Sequence, residues 1–168
     1  DYEDGGFGSA PKFPQPGIYA FLLELAAGEG EQSAEALRML RHTLDAMARG
    51  GIYDQIGGGF HRYSTDFEWR VPHFEKMLYD QALVARAYLF AWRRTGEPRH
   101  ADVVRRTLDF ALREMQSGQG GFYSALSADS HATQDATGHM TEGAFYTWTW
   151  QQLTAALGNT GLRDHAVQ

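Results

Sequence analysis

The sequence predicts an all-α fold: an incomplete α/α toroid of about two and a half helical hairpins, with short β-hairpins in the rim loops. Three observations predict it. Apolar residues recur at helical spacing in five stretches. The connections between those stretches alternate between a few residues and long loops rich in glycine and aromatics. Finally, Gly50-Gly51-Ile52-Tyr53-Asp54 is echoed by Gly120-Gly121-Phe122-Tyr123-Ser124, a weak repeat of one hairpin unit. Alternate connections of an up-and-down array lie on the same rim, so both elaborate loops are expected on one face.

Residues 1–15, with Gly5, Gly6, Gly8, Pro11 and Pro14, read as an ordered lead-in arm. Pro16 suits a helix start, and Ile18, Phe21, Leu22 and Leu25 mark a stripe ending near Gly28. A second helix covers about Ser33–Arg49 and presents Leu37, Leu40, Leu44 and Met47 on one face. A third is expected from Pro72 to about Arg94. Phe74, Met77, Leu78, Leu83, Val84, Ala87, Tyr88, Leu89 and Trp92 make it apolar nearly all round, as suits an inner helix buried on several sides. The fourth runs from Pro98 to near Met115, with Ala101, Val104, Leu108, Ala111 and Met115 on a single face. A fifth spans Thr149–Leu157 and stops at Gly158. Between these last two, Gly120–Tyr123 and Gly143–Trp148 look like short strand pairs capping the rim. A ring of six hairpins takes about twice this length, at roughly 50–60 residues for each hairpin with its loop. Residues 1–168 therefore read as a fragment of one toroid domain, with apolar edges open to self-association.

Composition narrows the function classes. A 43% apolar fraction and a 21% charged fraction suit a soluble globular domain. A net charge of −6 without a long basic run gives nucleic acid no footprint. The absence of cysteine excludes disulfides, thiolate metal sites and thiol catalysis. No apolar run approaches the roughly 20 residues that span a bilayer. Asp1-Tyr2-Glu3-Asp4 is not the basic start of a signal peptide. The expectation is a cytoplasmic domain, off the membrane, that uses no cofactor.

The stretch Gly50–Asp80 concentrates glycines, histidines, aromatics, arginines and carboxylates, a mixture that points to a site. His73 follows Pro72 at the expected start of the third helix, where the macrodipole would keep the imidazole neutral as a base. Its bland alternative is a histidine bonded to the glycine-rich loop. On that helix His73, Met77 and Asp80 would share a face, with Glu75 and Tyr79 as a neighbouring pair. Asp80 would orient that face or accept a sugar hydroxyl, or else tie helices together as a buried carboxylate. Lys76 reads as a salt-bridge partner. His61 and Arg62 lie on the same rim, where Arg62 suits an anionic group and either residue could instead satisfy loop carbonyls. Tyr53, Phe60, Trp69, Tyr123 and Trp148 are aromatic platforms, of which one or two would line a site. Asp129, paired with Glu75 or Asp54, would make a two-carboxylate glycosidase. His61, His73 and Asp129 lack the compact spacing of metal ligands, and no Lys-Ser/Thr follows Gly57-Gly58-Gly59 to make a phosphate loop.

Five strings carry a family resemblance: Phe7–Pro14 (FGSAPKFP), Gly57–Ser64 (GGGFHRYS), Val71–Asp80 (VPHFEKMLYD), Ala128-Asp129-Ser130, and Glu142–Thr149 (EGAFYTWT). Together they resemble the thioredoxin-domain-containing, spermatogenesis-associated protein family. That resemblance implies a six-hairpin α/α toroid, similar to those of N-acylglucosamine 2-epimerases and several glycoside hydrolases, beside a thioredoxin-like domain absent from this chain. It implies a saccharide as small-molecule partner and epimerase- or isomerase-like acid–base chemistry. His73 and His61 would then be the reacting pair, Glu75 and Asp129 further catalytic carboxylates, and Tyr53, Asp54, Arg62, Trp69, Tyr79, Asp80 and Tyr123 substrate contacts. Glycoside hydrolysis and a non-catalytic binding or scaffold role are the alternatives. Two departures stand out. Ser127 occupies a position where members carry an acidic residue, and the loop after Ser130 is longer, adding His131 and His139.

Overall fold

The computed structural model describes residues 1–131 and 138–157, so the expected helix stop at Gly158 lies outside the described residues. The chain divides into two compact units, Asp1–Ala128 and the residues from Asp129 onward.

The first unit holds two helical hairpins. Helices α1 (Pro16–Ala26) and α2 (Glu31–Arg49) form one, and α3 (Leu78–Thr95) and α4 (Pro98–Phe110) the other. A π-helical turn, Ala111–Met115, extends α4, and α1 also packs on α3. Pro16 and Pro98 stand at the first turns of their helices, where a missing N–H costs nothing. Gly96 takes the left-handed conformation that closes α3. The core joins Tyr19 and Leu22 of α1, Leu40, Leu44 and Met47 of α2, and Val84, Tyr88 and Ala91 of α3. It also contains Ile52, Phe60 and Trp69 from the loop between the hairpins.

Three short strands sit in the rim loops beside these helices: β1 (Tyr63–Ser64), β2 (Pro72–His73) and β3 (Lys76–Met77), with β4 (Ala125–Leu126) closing the unit. Strand β1 pairs with β2, Tyr63 opposite His73. Strand β3 pairs with β4, Lys76 opposite Leu126, which brings both long loops to one rim. The arm of residues 1–15 is anchored rather than loose. The fully buried Lys12 donates from Nζ to Asp1 Oδ2 at 2.8 Å and to the Gly5 and Phe67 carbonyls at 2.7 Å each. Gly50 and Gly51 let the loop cross Trp69 and Arg70 at close range: a methyl group on either would strike the Trp69 or Arg70 carbonyl.

Several expectations are corrected. The third helix begins at Leu78, not Pro72, because residues 72–77 spend their backbone groups on loop partners. Arg62 N–H donates to the Glu75 carbonyl at 2.8 Å, and Leu78 N–H donates to the Ser124 carbonyl at 2.9 Å. Nor is that helix buried all round. Asp80, Gln81, Val84, Ala87, Tyr88 and Ala91 face inward, while Leu83, Leu89, Phe90 and Trp92 stay exposed. Helix α1 buries Tyr19, Leu22 and Ala26, leaving Phe21 and Leu25 outside. In α4, His100 and Thr107 are buried and Leu108 is not.

In the second unit β5 (Asp129–His131) pairs with β6 (Met140–Glu142), Asp129 opposite Glu142. Gly143–Tyr146 forms turns rather than the strand expected over Gly143–Trp148. Helix α5 (Trp150–Leu157) starts on a reciprocal cap. Gln152 N–H donates to Thr149 Oγ1 at 3.2 Å, and Thr149 N–H to Gln152 Oε1 at 2.7 Å.

The ion pair of Lys76 Nζ with Asp54 Oδ2, at 2.8 Å, lies beneath the rim with the lysine fully buried. Removing one partner of such a pair strands the other charge. Asp54→Ala should therefore lower unfolding stability by about 3 kcal/mol in urea titrations. Adding Lys76→Met should restore part of that loss, and a double variant no better than the single would refute the reading.

Candidate functional site

The glycine-rich loop is fixed to α3 by Gln81. Its side chain accepts from the Phe60 N–H at 2.7 Å and donates to the Phe60 carbonyl at 2.7 Å, so the loop backbone is held as a strand neighbour would hold it. Lys76 holds the same loop from below through Asp54 and the Gly58 carbonyl at 2.9 Å. Asp54 Oδ1 in turn accepts from the Ile56 and Gly57 N–H groups. Asp54 therefore serves as a loop brace, with Lys76 as its salt-bridge partner.

These restraints present His61, Arg62, Tyr63, His73, Glu75, Tyr79 and Asp80. Arg62 Nη1 donates to Glu75 Oε2 at 2.8 Å. The same Glu75 oxygen is 4.0 Å from His73 Nε2. The His73 ring stacks on Tyr63 at 4.8 Å and an interplanar angle of 14°, and Tyr63 in turn packs on Phe13 of the lead-in arm. Tyr79, half exposed in the first turn of α3, lies close to the Arg62 guanidinium. Asp80 lies behind it, buried, with Oδ2 unpartnered. Burial pushes the Asp80 carboxyl up to about 7, with Arg62 pulling it down and Glu75 adding to the rise.

The structure brings together four of the residues expected on the third helix, His73, Glu75, Tyr79 and Asp80, but not by helical spacing. His73 sits in β2 and Glu75 in the connection to β3, both before α3, so no helix terminus acts on His73, and His73, Met77 and Asp80 share no helical face. His61 is almost wholly buried, with Nδ1 3.1 Å from the Phe74 carbonyl that accepts its proton, and its ring edge-on to Phe74. Burial pulls its imidazole down to about 4, with Lys76 reinforcing the shift. Trp69 is fully buried with Nε1 donating to the Asp4 carbonyl at 3.0 Å, so its ring offers no stacking face. Tyr53 and Phe60 are likewise core residues. Tyr123 is exposed next to the Gly120-Gly121 turn. Asp129, like Trp148, belongs to the second unit, where it is exposed in β5. Among the described residues, no three histidine or carboxylate side chains gather as metal ligands, and no helix is long and apolar enough to cross a membrane. The sequence singles out neither Tyr63 nor Gln81: Phe60-His61-Arg62-Tyr63 carries no alternation that marks the former, and a buried amide after Tyr79-Asp80 carries no local signal.

Relatives and solved structures agree with this picture. The chain is 46% identical over 159 residues to spermatogenesis-associated protein 20 of Homo sapiens and 45% to that of Mus musculus, matches that cover 94% of this chain and 20% of each relative. An uncharacterised Caenorhabditis elegans protein is 42% identical over 92% of this chain and 22% of its own length. The chain thus spans about a fifth of these homologues, and the resemblance carried by its motifs is borne out. No protein-family model matches it. Among solved structures, a sugar epimerase from a ruminal bacterium superposes with a TM-score of 0.60 at 16% identity, covering 97% of this chain and 39% of that one. Cellobiose 2-epimerase from Bacillus thermoamylovorans gives 0.62 at 14% identity over 76% of this chain and 35% of its own. A D-mannose isomerase gives 0.54 at 19% over 70% and 31%. At these identities the likeness is one of fold, and that fold is the α/α toroid, here incomplete.

The His61 environment sets a pH dependence. Its native pKa of about 4 lies below its ordinary value of 6.5, so between the two the unfolded chain binds a proton that the native state refuses. This group's contribution to stability is full above about pH 6.5 and lost as pH falls to about 4. In chemical denaturation at several pH values, His61→Gln should flatten that slope, by roughly 3 kcal/mol or less across the window. Parallel curves for the two proteins would refute the assignment.

Proposed function

We propose that this chain contributes to a carbohydrate-active toroid that moves a proton beside a sugar carbonyl, as an epimerase or isomerase does. The observation that supports it is the contiguity of an imidazole, a carboxylate, a guanidinium and a phenol, His73, Glu75, Arg62 and Tyr79, at one partly exposed rim. The sugar epimerases and the isomerase among the structures of like fold supply the substrate class.

In this reading the sugar reacts in its open-chain form. The His73 imidazole takes the proton from the carbon next to the carbonyl, and the bond's electron pair passes to the carbonyl oxygen to give an enediolate. Glu75 stabilises the imidazolium, while the Arg62 guanidinium and the Tyr79 hydroxyl face the developing negative charge. Delivery of a proton from solvent water to the opposite face of the carbon, with the carbonyl re-formed and the His73 imidazolium losing its proton to solvent, gives the epimer. His61 is too deeply buried to be the second reacting group, and in this scheme it braces the β2–β3 connection in which Glu75 sits. The carboxylate pair of a glycosidase is supported less well, because Glu75 is already committed to Arg62.

Incubating the protein that carries this chain with reducing sugars in D2O tests the proposal. Deuterium should enter at a carbon beside a carbonyl, and His73→Ala should lower its rate at least 100-fold. Release of new reducing ends without exchange would favour hydrolysis, and neither outcome with any sugar would favour a binding role.

A further inference from the structure

Arg62 and Asp80 each carry a buried polar atom without a partner, and the two atoms are of opposite kind. Arg62 Nε is a donor and Asp80 Oδ2 an acceptor. The two side chains are within electrostatic reach of each other, and Glu75 is within reach of Asp80 as well. Arg62 spends Nη1 on Glu75 Oε2 at 2.8 Å, and that oxygen is the one 4.0 Å from His73. One guanidinium therefore lies within electrostatic reach of two carboxyls, pairs with one, and complementary atoms stay unmet on itself and on the other.

We infer that Asp80 is a positioning residue of this site, competing with Glu75 for the Arg62 guanidinium and so setting how far Glu75 engages His73. The inference rests on the reading of His73 as the base, but its chemistry is independent of any sugar. Uncharged, Asp80 leaves Arg62 to Glu75. Charged, it draws Nε toward Oδ2, loosens the Arg62–Glu75 bond and frees the Glu75 carboxylate for the imidazole. Burial places this change near neutral pH, so a small rearrangement decides it. The groups facing Asp80 are few. From the loop and β2–β3 region they are Arg62 and Glu75. From α1 it is Tyr19, whose buried phenol is raised far enough to stay protonated throughout. Its own neighbour Tyr79 lies close to the same guanidinium.

The side-chain N–H of Arg62 and the ring signals of His73 report the switch directly by NMR on the full chain. The Arg62 Nε resonance should shift with a midpoint near pH 7 as it gains an acceptor, and Asp80→Asn, close in shape and without charge, should abolish that shift. The pH response of the His73 signals should differ between the unsubstituted protein and Asp80→Asn. Glu75→Gln should remove that difference and keep the Arg62 response. A pH-insensitive Arg62 Nε in the unsubstituted protein overturns the inference, whether or not the variants fold. Identical His73 curves with and without Asp80 overturn it too. Loss of sugar exchange with these titrations intact would instead refute only the proposed reaction.

Discussion

A single buried ammonium group organises the rim. Lys76 has no exposed surface, and its charge is stable there only because Asp54 Oδ2, the Gly58 carbonyl and the face of Phe110, 4.2 Å from Nζ, surround it. To reach them, Lys76 must point under the glycine-rich loop from an extended backbone. That requirement ends any helix at this point and pairs β3 with β4. It also postpones α3 to Leu78, whose N–H is then met by Ser124. His73, on β2, and Glu75, in the connection from β2 to β3, thereby lie beside Arg62 instead of along a helix. The chemistry of the site follows from where one lysine is buried.

This explains what could be read from the sequence and what could not. Helices α2 and α4 were legible because their polar and apolar residues segregate at helical spacing, and Pro16, Pro98 and Gly96 mark helix ends by backbone chemistry alone. Pro72 misled for the same reason. It has the fixed φ of a helix start, but that φ also suits the first residue of a strand. The deciding contact, Lys76 with Asp54, joins residues 22 positions apart, and no local periodicity encodes it. Trp69 was legible as an aromatic in a polar loop, not as a core residue. Its burial needs the arm of residues 1–15, whose Asp4 carbonyl accepts its N–H from 65 positions away. The buried faces of α1 and α4 were misread where a tyrosine or a histidine took the place of a phenylalanine or a leucine. Tyr19 and His100 go inside because each finds a partner there, Met47 and Asp45 respectively.

Two ionisable groups at the rim are buried at a cost to the fold, and their costs run in opposite senses. His61 is held neutral, which favours the native state as pH rises through its window. Asp80 is held protonated beyond the usual carboxylate range, so its contribution disfavours the native state as pH rises from about 3.8 to about 7. A structural histidine bonded to the β2–β3 connection explains the first, since the Phe74 carbonyl needs a donor and has one. No comparable partner explains the second. A carboxyl that only tied helices together would have both oxygens bonded, as Asp54 does, yet Asp80 Oδ2 has none.

The contrast between these carboxylates bears on which rim residues could act. Asp54 is saturated by a lysine and two backbone N–H groups, so any substrate hydroxyl would have to displace bonds that hold the loop. Glu75 is held by a guanidinium that is itself half exposed and has another carboxyl behind it. A bond that can be exchanged between two acceptors costs less to open than one embedded in the packing, because the displaced donor is never left unmet. On that ground the reactive part of the rim is the Arg62–Glu75–His73 side, and the Lys76–Asp54 side is its foundation.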